Sequence, residues 1–373
     1  MHAPLTMTYR VAWHSFTELE GIAGEWRDLA ARAIEPNVFY EPSFVLPALK
    51  VFDSDAGAIC VRSAGGRLVG LFPMNRGPFL IFSGFVHPYA PLGVPLVDRD
   101  DSVGIVGAWL DHLAKRHRTI AMPCLSQGPF SEALTLACAM RNLPGHNFDS
   151  HDRALLAPGT HRAGYLGQSS ASRRRKNLLR HRRRLAELGD LRHSSAHDTA
   201  SVQSLVDAFL KIEASGWKGE AGTAAGRDPA MSKFFRSAVL ALAAEGKAQG
   251  DLLTLDGEPI AVIVVLRSGE TAWAWKIAYD ERFASHSPGI QVAFDATQTL
   301  LADTSIARTD SCTAPGPHVI DHLWHERLSL TDRMIGVRPG STLSFEPTFL
   351  LEALRRKSRS LAKSVLRTLS RQA

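Results

Sequence analysis

The chain has 373 residues, 45% of them apolar and 21% charged, with four cysteines and a formal net charge of +6. That length suits two domains, and the composition excludes collagen-like, disulfide-dense and wholly disordered classes. No run reaches the roughly 18 apolar residues of a membrane-spanning helix, and the start MHAPLTMTYR lacks the apolar core of a signal peptide, so a cytoplasmic location is expected. Cys60, Cys124, Cys138 and Cys312 have no CxxC spacing and predict buried thiols, with neither a zinc site nor a disulfide framework. The charge is local. Residues 352–373 carry seven Lys or Arg against Glu352 alone, and Ser172–Arg184 carries eight with no acid, so the remainder is acidic with two basic patches.

Residues 15–33 space Phe16, Leu19, Ile22, Trp26 and Leu29 three or four apart, which predicts an amphipathic helix opening the fold. GAICVRSAGGRLVGLFPMNRG predicts a hairpin turning at Gly65-Gly66. After a loop with Pro88, Pro91 and Pro95 come a helical pattern (SVGIVGAWLDHLAKRH), a buried strand (TIAMPCL) and a helix near 131–141. A polar, Gly- and His-rich passage ends near Gln168, where the domain boundary is expected. The second half predicts helices at 200–214 and 230–245, then a three-stranded meander turning at Asp256-Gly257 and Ser268-Gly269. A helix over 288–302 starts on Pro-Gly, where a proline's missing N–H is harmless. Both halves share the order hairpin, long strand, helix, which suggests an internal duplication.

WKGEAGTA (Trp217–Ala224), WKIAYDE (Trp275–Glu281), SPG (Ser287–Gly289) and DHLWHER (Asp321–Arg327) together resemble the CelD-type acetyltransferase-like proteins. That family belongs to the GNAT superfamily, is linked to cellulose or other exopolysaccharide synthesis, and is related to FemAB-type transferases. The resemblance covers 165–335 well and 10–160 loosely. It implies an α/β fold (α+β, mixed sheets) made of a tandem of two GNAT-like acyltransferase lobes, divided as 1–165, 166–345 and a basic amphipathic helix at 346–373. It also implies acetyl-CoA or another acyl-CoA as co-substrate, with no metal, and a small-molecule or glycan acceptor.

A GNAT site holds the CoA pyrophosphate on unpaired N–H groups at a helix start. Ser287, Gly289, Ile290 and Gln291 are placed there. The usual Q/R-x-x-G-x-G/A loop is replaced by RFASHSPGI, with one glycine, so an ordinary helix-start turn is the alternative. Proton removal from the acceptor needs a tuned carboxylate or histidine. Asp310, after the expected strand SIARTD, is the first candidate, followed by Asp280 and His318; a turn-capping Asp310 is the alternative. Trp217, Lys218, Trp275, Lys276 and Asp321 are candidate substrate contacts, although core packing is the favoured reading of Trp273 and Trp275, which share one strand face. His318, His322 and His325 lack HExxH spacing, so no metal site is expected.

In Arg173–Arg184, Leu178 and Leu179 sit among cations, continuing to Leu185 and Leu188. This segment suits CoA phosphates, an anionic glycan, tRNA or lipid, or a solvated linker. Residues 349–369 form a helical apolar face amid Arg and Lys, the pattern of peripheral contact with an anionic membrane face. Three functions therefore stand: acyl transfer from acyl-CoA, FemAB-like transfer from aminoacyl-tRNA, and a non-catalytic scaffold of degenerate lobes.

Overall fold

A computed structural model describes residues 8–52, 56–76, 81–167, 171–215, 225–316, 318–340 and 342–369. The first described element is a strand, β1 (Arg10–Ser15), and the helix expected over 15–33 is in fact two, α1 (Phe16–Glu20) and α2 (Ala23–Arg32). Ser15 and Glu18 form a capping box that starts α1, and the chain turns at Gly21-Ile22 before Trp26 and Leu29 enter the core. Helix α3 (Pro42–Phe52) precedes the hairpin β2 (Gly57–Arg62) and β3 (Leu68–Arg76), with Gly66 at φ +84° in its turn. Then come β4 (Phe82–Gly84), β5 (Leu96–Val97), α4 (Ser102–Ala114), the buried strand β6 (Thr119–Ser126) and α5 (Pro129–Ala139). The polar passage after it contains a long strand, β7 (Gly145–Leu156). Its first eight residues, GHNFDSHD, are exposed or half-buried on both faces, so no apolar alternation announces them; the backbone ladder holds them.

The second half runs α6 (Ala171–Ala186), β8 (Leu191–Ala196), α7 (Thr199–Ser215) and α8 (Pro229–Ala244). The meander follows as β9 (Ala248–Leu255), β10 (Glu258–Ser268) and β11 (Thr271–Tyr279), with Asp256 and Gly257 both at positive φ in its first turn. Helix α9 (Pro288–Ala302), β12 (Arg308–Asp310), β13 (Glu326–Gly336) and α10 (Thr342–Leu369) complete the described chain. Each half builds a strand, paired helices, an antiparallel meander, a helix and a strand. In each, the meander's last strand pairs in parallel with the strand after the helix, β4 with β6 and β11 with β12.

Among the described residues the strands form one mixed sheet in the order β1-β2-β3-β4-β6-β13-β7-β12-β11-β10-β9-β8, with β5 on β3. The two halves exchange strands: β13 lies between β6 and β7, and β7 lies beside β12. One apolar cluster also crosses between them. Phe39 meets Trp273 edge-on at 5.8 Å, and Phe44 meets Phe234 and Trp275 at 5.5 Å each.

Helix α9 is tied down along its length. The buried Asp251 on β9 accepts from the Thr299 hydroxyl at 2.9 Å, from Ser195 at 2.7 Å, and pairs with His193 Nε2 at 2.8 Å. Asp295 takes both bonds from Arg182 on α6, and Arg162 donates to the carbonyls of Leu300, Leu301 and Asp303, where a cation suits the helix dipole. The bond to Asp251 raises the His193 pKa above 6.5. A raised folded pKa means this contribution is full below pH 6.5 and fades as pH climbs through the folded value. The unfolding free energy from urea titration should therefore fall as pH rises from about 6 to 8, by about 1 kcal/mol or less because the ring is partly solvated. His193→Gln should flatten that slope, and an unchanged slope would exclude this pair as its source.

Candidate active site

Beyond the Trp273–Asp310 pair, β11 and β12 part company. Strand β12 stays with β7, where Ser311 N–H donates to the Ala154 carbonyl at 3.1 Å. Ala274–Tyr279 continue, paired only with β10 among the described strands. A bulge at this point sets Val264 opposite Lys276 and Val265 opposite Ala274, so Trp275 is the extra residue. The result is a V whose one arm carries backbone groups along an unladdered edge.

Helix α9 starts at the open end of that V. Ser287 is its N-cap in the left-handed region (φ 54°, ψ 52°) and its side chain makes no capping bond; Pro288 has no N–H, and no acid occupies the first turn. The N–H groups of Gly289 and Ile290 thus head a dipole with neither a capping side chain nor a first-turn acid against it. Gly289 has a packing reason as well: a Cβ there would come 3.0 Å from Cδ1 of Tyr279. Gln291 is fully buried. Its Nε2 donates to the His286 carbonyl at 2.9 Å, while Oε1 has no partner among the described residues.

Against this helix start lies a pocket of about 260 Å³, walled by Ser287, Ile290 and Phe294 from α9, Leu178 and His181 from α6, and the segment His322–His325. Exposed Lys176, Arg180, Arg183 and Arg184 lie on the same helix α6. The histidines that the sequence offers for a metal thus serve partly as pocket lining. Among the described residues no group of three His, Cys, Asp or Glu is arranged to hold a metal.

The first half's equivalent helix start differs. Asp101 caps α4 by accepting from Gly104 N–H at 3.1 Å and from the Tyr9 hydroxyl at 2.5 Å, with Asp98 and Asp100 just before it. A carboxylate already satisfies those donors, and its charge opposes a phosphate. The loop ahead of α4 crosses to the second half instead. Trp275 Nε1 donates to the Tyr89 carbonyl at 2.8 Å and Lys276 Nζ to Pro88 at 3.3 Å, while Arg153 of the first-half strand β7 donates to Pro91 at 3.1 Å.

This crossing sets the other expected residues. Trp275 is 4% exposed and stacks on Phe235 at 4.9 Å, so its indole serves packing between the halves. Lys276 Nζ sits 3.9 Å from the Tyr89 ring centroid, a cation–π contact. Burial, then Lys276, lowers His87 to about 4, so its imidazole is neutral near pH 7. Burial first, and the carboxylates of Glu213 and Asp228 after it, push the Tyr89 phenol up. His87, Tyr89 and Lys276 form the ionisable set beside the V. Of these, sequence reasoning picked only Lys276, because a Pro-rich loop gives no sign that it will cross a domain seam.

Asp310 is 2% exposed, ion-paired with the equally buried Arg153, and accepts from Cys312 N–H at 3.0 Å. The adjoining cavity, shared with Glu35, Arg308 and Trp273, is only about 10 Å³, the lower limit for one water. The ion pair makes Asp310 a lock between β7 and β12. Asp280 caps the turn Glu281–His286 and is held by Arg282, which, through hydrogen bonding first, keeps its pKa low. Asp321 accepts from His318 N–H at 2.6 Å, and His318 Nε2 meets the Ala314 carbonyl at 2.7 Å; both fix the turn Val319–His322. Trp217 and Lys218 lie outside the described residues.

Residues 172–316 match the family model described as acetyltransferase (GNAT) domain. No curated protein matches the chain in sequence. Among solved structures, a conserved protein of unknown function from Bacteroides thetaiotaomicron is similar at TM-score 0.58 and 10% identity, covering 87% of this chain and 99% of that one. The C-terminal domain of a putative lysylphosphatidylglycerol synthetase from Agrobacterium fabrum is similar at TM-score 0.57 and 14% identity, covering 85% and 92%. FemX is similar at TM-score 0.56 and 11% identity, covering 88% and 98%. At such identities the likeness concerns fold alone. The fold is a tandem of two GNAT-like lobes, and the family match falls on the second, the lobe with the uncapped helix start.

Proposed function

We propose that the chain transfers an acyl group, in the simplest case acetyl, from acyl-CoA to an amine or hydroxyl of a small or glycan acceptor, using the second lobe alone. The observation that carries this is the uncapped start of α9 beside the V of β11 and β12, over a mainly apolar pocket. The pocket suits the pantetheine arm, the N–H groups of Gly289 and Ile290 suit the pyrophosphate, and the α6 cations suit the remaining phosphate. The thioester oxygen would meet the unladdered N–H groups of β11, which stabilise the charge that grows there during attack. The acceptor amine or hydroxyl attacks the thioester carbon, the C–S bond breaks, and the CoA thiolate leaves, taking up the proton that the nucleophile loses. Lys276, Tyr89 and neutral His87 are the polar groups placed to orient the acceptor. Polysaccharide or cell-envelope synthesis is the setting that the CelD resemblance suggests.

The test is calorimetric titration with acetyl-CoA followed by a transfer assay over amine and hydroxyl acceptors. One site per chain is expected, since the Asp101-capped lobe should take none. Two sites would overturn the single-lobe assignment, and no heat or thermal shift at millimolar ligand would overturn the acyl-CoA reading. A second reading, FemAB-like use of aminoacyl-tRNA, is favoured by the exposed cations of α6. It requires tRNA binding that weakens steeply with salt.

A further inference from the structure

Helix α10 touches the protein with one face and leaves a different apolar face outside. Its docked side carries Phe345, which is buried, Phe349, 4.4 Å from the His146 ring, and Arg356. The Arg356 guanidinium lies 4.0 Å from the Phe148 centroid and pairs with Asp149, Asp332 and Glu352. At about 100° per residue the opposite arc holds Leu350, Leu351 and Leu354, which are 58%, 62% and 65% exposed. Positions 361, 365 and 369 of the same helix, Leu, Val and Leu in sequence, fall on that arc too.

Charge decides what can cover such a face. Glu352 is already held by Arg355 and Arg356, Lys357 is exposed, and the sequence then adds Arg359, Lys363, Arg367 and Arg371 with no further acid. A second copy of the helix would bring two segments of net +4 together. An anionic bilayer offers the reverse: headgroups for the cations and acyl chains for the leucines, the arrangement of a helix lying in the interface plane.

We propose that α10 seats the protein on an anionic lipid surface through the Leu350–Leu351–Leu354 face. This deepens the membrane contact expected from the basic end of the sequence by naming the face, and it is independent of the acyl-transfer reading. The experiment is co-sedimentation of the full chain with vesicles of phosphatidylcholine plus phosphatidylglycerol, and with phosphatidylcholine alone. Binding to the anionic vesicles, weakened by salt, is expected. The variant Leu350→Glu/Leu351→Glu/Leu354→Glu should bind at least about tenfold more weakly while keeping the parent Tm, since its three positions are already solvated. Equal binding by that variant, equal binding to the neutral vesicles, or no binding to either would overturn the proposal. So would a dimer in light scattering that the variant disperses, which would assign the face to a second copy.

Discussion

Ile290→Asp should abolish stabilisation by acetyl-CoA while leaving the ligand-free Tm nearly unchanged. Ile290 is half-buried on the pocket wall in the first turn of α9, a turn that holds no acid. An aspartate there suits the helix dipole, which offsets the modest loss of apolar burial, so folding is spared. The same charge would stand within a few ångströms of a bound pyrophosphate. At an effective dielectric of about 20, a like charge at about 5 Å costs about 3 kcal/mol, so a loss of roughly 150-fold in Kd is expected. Gly289 is the poorer probe, because a side chain there would strike Tyr279 and confuse misfolding with lost binding. Calorimetry on Ile290→Asp against Ile290→Val checks the effect; undiminished affinity in the aspartate variant would move the phosphates away from this helix start.

The largest effect on stability is expected at Asp310. Asp310→Ala strands the Arg153 guanidinium in a site where both side chains are almost wholly buried, at a cost of about 3–5 kcal/mol. Urea denaturation should record it. Should that variant fail to fold, the pair Arg153→Met/Asp310→Leu removes both charges, and its stability should recover to near or above the parent, because replacing a buried ion pair by apolar groups is often neutral or favourable. The contrary result is also informative. Full stability of Asp310→Ala with lost transfer would restore Asp310 as the proton acceptor.

Local signals in the sequence specified the second lobe well. Helix α9 runs Pro288–Ala302 as its Pro-Gly start and 3.6-residue spacing predict, and the hairpins of both halves turn where Gly66 and Asp256-Gly257 supply positive φ. What escaped is non-local. The first eight residues of strand β7 are exposed or half-buried on both faces and are held by neighbours far away in the chain, and the lock on Asp310 comes from a residue 157 positions earlier. The start of α9 was legible because it rests on backbone chemistry within one turn. The packing role of Trp275 was legible too, as an aromatic sharing a strand face with Trp273, whereas the placement of Tyr89 and His87 was not, since it arises only when a loop of the first half crosses onto β11.

The strand exchange also sets a timetable. As the chain leaves the ribosome, β6 and β7 are made early, yet the place between them stays vacant until residues 326–336 emerge. Until then each presents a bare edge to the solvent, the kind of surface that pairs with other chains. The first lobe is therefore first in sequence, yet its last strand neighbour is among the last segments made.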